Sequence, residues 1–460
     1  MTFSDYINYL RGKRIGVIGF GVSNQPLVRV LLENGCDVTV CDRRERAQLG
    51  AAGDEAAAQG ARFALGVDYL GHLDFDVIFR TPGVLPIVPQ LRKAAQNGAI
   101  LTSEMEAFCN LCPCRILAIT GSDGKTTTST ITAELLRAQG YTVHLGGNIG
   151  TPLFDRIADI RPDDFAVLEL SSFQLHSMHC APDVAIITNI SPNHLDVHPD
   201  LEDYVSAKCS IYRGQRPDGV LVLNARDAHT PRFAAEAPGS VRYFSSIGPV
   251  ENGVYCSDGV IYRAHGGKAE KILDVSDIRI PGAHNVENYM AAFAATDGLV
   301  GQAACVQVAR SFAGVPHRME RIRELNGITF INDSIASSPT RTIAGLHALP
   351  KPPVIILGGH DKHIPFDELG DEVCLHAKAA VVVGETAQRI AAAIRGSKFY
   401  DPGKLPLVEA QDFRAAVETA YRLAQPGDTV TLSPACSSFD FFKNFAERGD
   451  TFRAIVESLQ

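Results

Sequence analysis

Apolar runs broken by glycine and polar turns mark out three stretches in which strands alternate with helices. In "KRIGVIGFGVSNQPLVRVLLENGCDVTVCDRR" the run Ile15 to Ile18 reads as a buried strand, Gly19 and Gly21 as a tight turn, and Gln25 to Glu33 as a helix. "DVTVCD" is a second strand ending at Asp42, which completes a βαβ unit. "FDVIFRTPGV" adds a strand and a Pro-Gly turn, with backbone open to a ligand at Gly83. In the middle stretch "RILAIT" is a strand, "GSDGK" a loop and "TTTSTITAELLRAQG" a helix ending at Gly140. "FAVLEL" and "VAIITNI" are further buried strands, Val241 to Arg263 reads as short antiparallel strands, and "PGAHNVENYMAAFAAT" is a turn entering a helix. From "AGVPHRMERI" onward, "ITFINDS", "PVIILGG", "AKAAVVVG" and "DTVTLSPA" are four strands interleaved with helices, a second doubly wound pattern. The fold class is α/β.

Composition narrows the partners. The 460 residues are 45% hydrophobic and 21% charged, ordinary for a globular chain with room for two to four domains. A net charge of −9 argues against a general nucleic-acid or anionic-membrane partner. No basic segment leading into an apolar run opens the chain, and no apolar stretch nears the roughly 18 residues of a membrane span. A cytoplasmic protein without membrane insertion is expected. The eleven cysteines are scattered and odd in number, which fits reduced thiols better than a disulfide framework. Cys109, Cys112 and Cys114 in "CNLCPC" lack a fourth ligand of matching spacing and read as incidental thiols in a connector.

The chemistry concentrates in the middle stretch. In a phosphate loop, backbone amides at a helix N-terminus face anionic oxygens, a lysine neutralises their charge, and a hydroxyl binds Mg²⁺. "GSDGKTT" supplies these parts: Gly121, Ser122, Asp123, Gly124, Lys125, Thr126 and Thr127, although Ile119 stands where the longer pattern has its first glycine. Asp123 suits phosphates only if it turns away. Glu169, at the end of a strand, can hold Mg²⁺ directly or through water. His194 and His198 have the H-x-x-x-H spacing, but Leu195 replaces the glutamate of the zinc motif. His194 is expected on a second Mg²⁺ or a phosphate, and His198 at the surface. The N-terminal βαβ unit carries a partial G-x-G-x-x-G, with Asn24 at the third glycine position, so a dinucleotide or another nucleotide diphosphate fits its helix N-terminus. "LGGHDK" and "LSPACSSFDFFKNFAERG" place lysine and hydroxyl groups at strand ends of the third stretch, suited to an anion.

With "GSDGKTTT", "LELSSFQL", "NISPNHLD", "YVSAKCSIY", "GAHNVEN", "PHRME", "INDSIASSPT", "GGHDK" and "LSPACSSFDFFKNFAERG", the sequence resembles the Mur ligases over nearly its whole length. "SSFQL" and the last motif are particular to the branch that adds D-glutamate. The resemblance implies three domains: 1–104, Rossmann-like and UDP-binding; 105–313, a P-loop ATPase-like parallel sheet; and 314–460, Rossmann-like and binding the amino acid. It implies that UDP-N-acetylmuramoyl-L-alanine is joined to D-glutamate by a monomer, with ATP and Mg²⁺ and through an acyl phosphate. Val22, Ser23, Asp42, Arg44 and Gly83 would contact UDP, with Asn148 and Ser171 along the muramoyl-alanine arm. Thr126 and Glu169 would hold one Mg²⁺, and His194 with a carbamylated Lys208 a second. Asn285, Asn288, Arg318 and Asp333 would bind ATP; Ser337, Lys362, Ser438 and Phe445 would hold D-glutamate. Two positions depart from the family: Ile335 stands where lysine is frequent, and Asp123 where asparagine is. The rivals are another Mur or folylpolyglutamate-type ligase, a P-loop ATPase acting as a switch or motor, and a dehydrogenase.

Overall fold

Strands that are apolar on both faces need cover on both sides, and the chain provides it by alternating them with helices. The computed structural model describes residues 1–192, 194, 197–361 and 364–460, and these form two compact units, Met1–Phe312 and Ala313–Gln460. The first unit holds two sheets. One has five parallel strands in the spatial order Arg62–Leu65, Asp37–Asp42, Arg14–Ile18, Val77–Arg80, Ile100–Thr102. Its chain order reverses beside Arg14–Ile18, which opens a crevice at the carboxyl ends of the central strands. Asn24 is buried there and donates to the carbonyls of Ile18 (3.2 Å) and Gly19 (2.8 Å). A side-chain amide thus ties helix to strand where the dinucleotide pattern has glycine.

The second sheet has nine strands, ordered Lys268–Asp274, Val260–His265, Gly253–Ser257, Ser240–Ser245, Val220–Asn224, Val184–Ile187, Arg115–Thr120, Phe165–Glu169, Val143–Gly147. The antiparallel reading of Val241 to Arg263 is corrected here. Ser240–Ser245 runs parallel to Val220–Asn224, and Gly253–Ser257 runs parallel to Ser240–Ser245. Antiparallel pairing begins with the hairpin at Asp258 and Gly259, whose positive φ values of 50° and 75° give the tight turn that such a pair needs. Alternation marks a strand; its direction depends on the connection. The helices Lys125–Ala138 and Ala283–Ala295 cover one face of this sheet, and the alanines of the latter let the two helices approach closely.

The second unit has six strands, ordered Glu320–Leu325, Ile328–Asn332, Thr429–Leu432, Val354–Leu357, Ala379–Val382, Leu407–Glu409, of which only the first is antiparallel to its neighbour. The four expected strands form its centre. The two additional ones are edges, only half-buried, so their sequences lack a continuous apolar run. Among the described residues, no helix is long and apolar enough to cross a membrane.

Candidate active site

The strand Arg115–Thr120 runs into the helix Lys125–Ala138 through four residues, so the free amides of the first helical turn face the loop. Gly121 has φ +145°, and a Cβ there would lie 1.8 Å from the Thr188 hydroxyl; at Gly124, with φ +77°, it would lie 2.3 Å from Asn288 Oδ1. Only glycine fits either position. Lys125 Nζ reaches back over the loop to the carbonyls of Gly121 (3.0 Å) and Ser122 (2.9 Å). The Ser122 hydroxyl donates to Ser191 O (2.9 Å) and meets the Tyr204 hydroxyl at 2.9 Å. Asp123 is exposed; its amide donates to Asn189 Oδ1 (3.0 Å), and its carboxylate accepts from the Ser191 hydroxyl at 3.4 Å. Thr126 is buried and Thr127 half-buried in the first turn. Asn288 joins them, accepting from the Thr128 hydroxyl (3.2 Å) and donating to Asn285 Oδ1 (3.2 Å). Beside Gly124 a cavity of about 150 Å³ is lined by Asn189, Phe244, His284 and Asn288 among others. Of these, Asn189, Phe244 and His284 escaped the residue-by-residue reading, although His284 stands inside "GAHNVEN".

Glu169 ends the strand that pairs with Arg115–Thr120, which places it beside the loop. It is buried, and its Oε1 accepts from Asn148 Nδ2 at 2.8 Å. Its Oε2 is buried with no hydrogen-bond partner among the described residues, an arrangement that costs free energy unless a cation or water completes it. A carboxylate oxygen of this kind fits a hard divalent ion. Lys208, on the helix Leu201–Arg213, is fully buried and donates to Gly121 O at 2.7 Å, so it too meets the loop. Burial, then the charge of Lys125, pushes its ammonium well below the usual lysine range. His194 has a left-handed backbone (φ 55°), rare outside glycine, and packs edge-on against Phe173 with ring centres 5.0 Å apart.

His198 corrects the sequence reading: it is buried, not at the surface. Its Nδ1 lies 2.6 Å from Asp203, its Nε2 lies 3.0 Å from the Ser172 hydroxyl, and its ring stacks on Phe173. The two partners come from separate elements, Ser172–Leu175 and Leu201–Arg213, whose meeting no local spacing reveals.

In the five-stranded sheet, Val22 and Ser23 lie in the glycine turn, Val22 fully outward, at the start of the helix Asn24–Glu33. Asp42 accepts from the Phe20 amide (2.7 Å) and from Arg44, which also donates to Phe20 O (2.9 Å). Burial alone would raise the Asp42 carboxyl, but Arg44 and the two amides outweigh it and hold it at about 2. Thr81 borders this turn so closely that a Cβ on Gly19 would lie 2.8 Å from its methyl, and Gly83 follows two residues on. Arg80 links this crevice to the larger sheet. Fully buried, it donates to the Ser177 hydroxyl (2.7 and 2.9 Å), to Phe173 O (3.1 Å), and to Val84 O at 3.3 Å. Ser171 caps the N-terminus of the short helix that Arg80 holds at its other end.

Arg318 and Asp333 belong to the second unit. Asp333 is buried, accepts from the Met319 amide (3.2 Å) and the Ser433 hydroxyl (2.9 Å), and is pushed by burial up to about 6. Ser337 precedes the helix Pro339–Ala348, Ser438 is buried in the loop after Thr429–Leu432, and Phe445, partly exposed, opens the helix Phe445–Ser458. Arg448, which the sequence reading missed, joins these segments: its buried guanidinium donates to Ser334 O (2.9 Å), Ser334 Oγ (3.0 Å) and Ser437 O (3.1 Å). The His360 amide donates to Ser437 O at 2.9 Å, which brings in the "GGHDK" loop as well. Lys362 lies outside the described residues.

Residues 119–296 match the Mur ligase middle domain, and residues 317–436 match the Mur ligase glutamate ligase domain. Over 99% of both chains, this one is 45% identical to the UDP-N-acetylmuramoylalanine–D-glutamate ligase of Acetivibrio thermocellus. Over 100% of this chain and 99% of the relative, it is 43% identical to the enzyme of that name from Clostridium kluyveri. Among solved structures, the UDP-N-acetylmuramoylalanyl-D-glutamyl-2,6-diaminopimelate–D-alanyl-D-alanyl ligase of Acinetobacter baumannii shares the fold, with a TM-score of 0.54 at 18% identity, covering 100% of this chain and 92% of that one.

Proposed function

We propose, from the premise that this chain belongs to the Mur ligase family, that it joins D-glutamate to UDP-N-acetylmuramoyl-L-alanine in peptidoglycan precursor synthesis. It is an ADP-forming ligase acting as a cytoplasmic monomer on small molecules. The observation that carries the substrate assignment is the 43–45% identity to D-glutamate ligases along the whole chain.

A carboxylate does not acylate an amine unaided. The alanyl carboxylate oxygen therefore attacks the γ-phosphorus of ATP and ADP leaves, giving an acyl phosphate. The D-glutamate amine then adds to the acyl carbon, loses a proton, and the tetrahedral adduct expels inorganic phosphate as the amide forms. The loop amides and Lys125 hold the phosphates in line, and Asn285 and Asn288 border the nucleotide. Thr126 and Glu169 would hold one Mg²⁺, with His194 and a carbamylated Lys208 for a second; the unpartnered Glu169 Oε2 supports the first of these. When bound, Mg²⁺ supplies neutralisation of the charge that gathers on phosphoryl and carboxylate oxygens. The turn at Val22 and Ser23, the Asp42–Arg44 pair and Gly83 would take the UDP end, with Asn148 and Ser171 along the arm. Arg318 and Asp333 would complete the ATP site, and Ser337, Lys362, Ser438 and Phe445 would hold D-glutamate.

The test measures ADP release with UDP-N-acetylmuramoyl-L-alanine and each D- or L-amino acid in turn, using substrate whose alanyl carboxylate carries labelled oxygen. D-Glutamate alone should sustain turnover, and one labelled oxygen should appear in phosphate. Release of AMP, unlabelled phosphate, or preference for another amino acid would overturn the proposal.

A further inference from the structure

We infer a transition-metal site in the second unit, formed by His347, Glu372 and His376. His347 stands in the last turn of the helix Pro339–Ala348, and His376 ends the helix Asp367–His376, one turn beyond Glu372. The two helices pack against each other, so all three side chains meet at their carboxyl ends. Both imidazoles point Nε2 at the same oxygen, Glu372 Oε2, at 2.6 Å from His347 and 3.4 Å from His376. All three ligand atoms lie within 4.8 Å of one another. Tetrahedral zinc, with bonds of about 2.0–2.2 Å, holds its ligand atoms roughly 3.3 Å apart. Of the three pairs, the one at 3.4 Å already has that spacing, and the 2.6 Å pair and the two imidazoles reach it by small rotations of the histidine side chains, which are about half exposed, at 50% for His347 and 46% for His376.

Three further features favour a cation. The negative ends of two helix dipoles converge on the site, and Glu372 adds a full negative charge. Two imidazoles with one carboxylate suit zinc, nickel or copper rather than Mg²⁺, which prefers oxygen. Water can complete the shell from the open side. Among the described residues, the other cluster of this composition, His176, His198 and Asp203, differs: His198 has both ring nitrogens already hydrogen-bonded, to Asp203 and Ser172.

The site would pin two helices at one end, and the first of them begins just after Ser337. A bound ion would therefore steady the helix that follows Ser337, a residue assigned to D-glutamate. That consequence rests on the proposed function; the metal site does not.

The test uses the full chain, free of any polyhistidine tag and stripped of metal, titrated with Zn²⁺ against a chromophoric chelator in excess Mg²⁺. One zinc equivalent should bind, and His347→Ala or His376→Ala should weaken it by more than about tenfold, with Glu372→Gln also weakening it. Zinc should raise the melting temperature of the parent chain but not of these variants, and the zinc-free melting of the two histidine variants should be unchanged because their side chains are about half exposed. A Cys112→Ser/Cys114→Ser double variant should bind zinc as the parent does. Absence of a bound equivalent, undiminished affinity in both histidine variants, or loss of zinc with the cysteines would each overturn the site. If D-glutamate proves not to be the substrate while zinc binding follows the histidines, only the functional reading fails.

Discussion

Lys208 is an amine with almost no water around it. Its single short hydrogen bond goes to a loop carbonyl, and burial together with Lys125 favours its neutral form. A neutral amine can add CO₂, releasing a proton and leaving an anionic carbamate, the kind of oxygen ligand a hard cation accepts. Lys208→Ala is expected to lower the rate by about 100-fold or more, with part of it returning when a small carboxylate such as acetate fills the vacated space. A rate unchanged by Lys208→Ala or Lys208→Arg would remove the carbamate from the mechanism. His198 shows the same dependence on surroundings: its neighbours in sequence suggest a surface loop, whereas its neighbours in space enclose it.

Among the elements, the short helix Ser172–Leu175 has one end capped by Ser171 and the other held by Arg80. Burial lowers the Arg80 guanidinium only to about 10, so it remains a cation at neutral pH. Arg80→Met would leave the Phe173 carbonyl and the Ser177 hydroxyl without this donor, costing about 3 kcal/mol of stability in chemical denaturation. Because Phe173 packs on both His194 and His198, turnover is expected to fall as well. The helix Glu104–Leu111 carries a buried acid in its first turn: burial pushes Glu104 up to about 7, and its Oε1 has no hydrogen-bond partner among the described residues. With the folded value above the usual 4.5, the proton it binds stabilises the fold fully below pH 4.5, and this contribution is lost as the pH rises through about 7. Glu104→Gln should abolish that loss, so above pH 7 the variant should be more stable than the parent by up to about 3 kcal/mol in denaturant titrations.

At the scale of the whole molecule, the proposed ligase would divide its labour by unit, with the nucleotide-phosphate loop in the first and the residues proposed for D-glutamate in the second. Lys362→Ala is therefore expected to weaken use of D-glutamate by ~2–5 kcal/mol and to leave binding of the uridine substrate unchanged, as read from the two KM values. The reverse pattern would contradict the assignment. The phosphate loop, the central strands and the α/β class were legible in the sequence, because backbone conformation follows local rules: apolar period, glycine at turns, and a lysine and hydroxyls opening a helix. Two edge strands and the direction of Ser240–Ser245 were not, because half-buried edges carry weak patterns and direction depends on the connection. Nor were Arg80, Arg448 and the burial of His198. Each acts by joining segments 90 or more residues apart in the first two cases, or two separate helices in the third, and such partners have no spacing to read. The sequence by itself determined which elements form and which groups can do chemistry. Only the tertiary structure decided which of those groups meet, since burial and hydrogen-bond satisfaction are properties of the assembled chain.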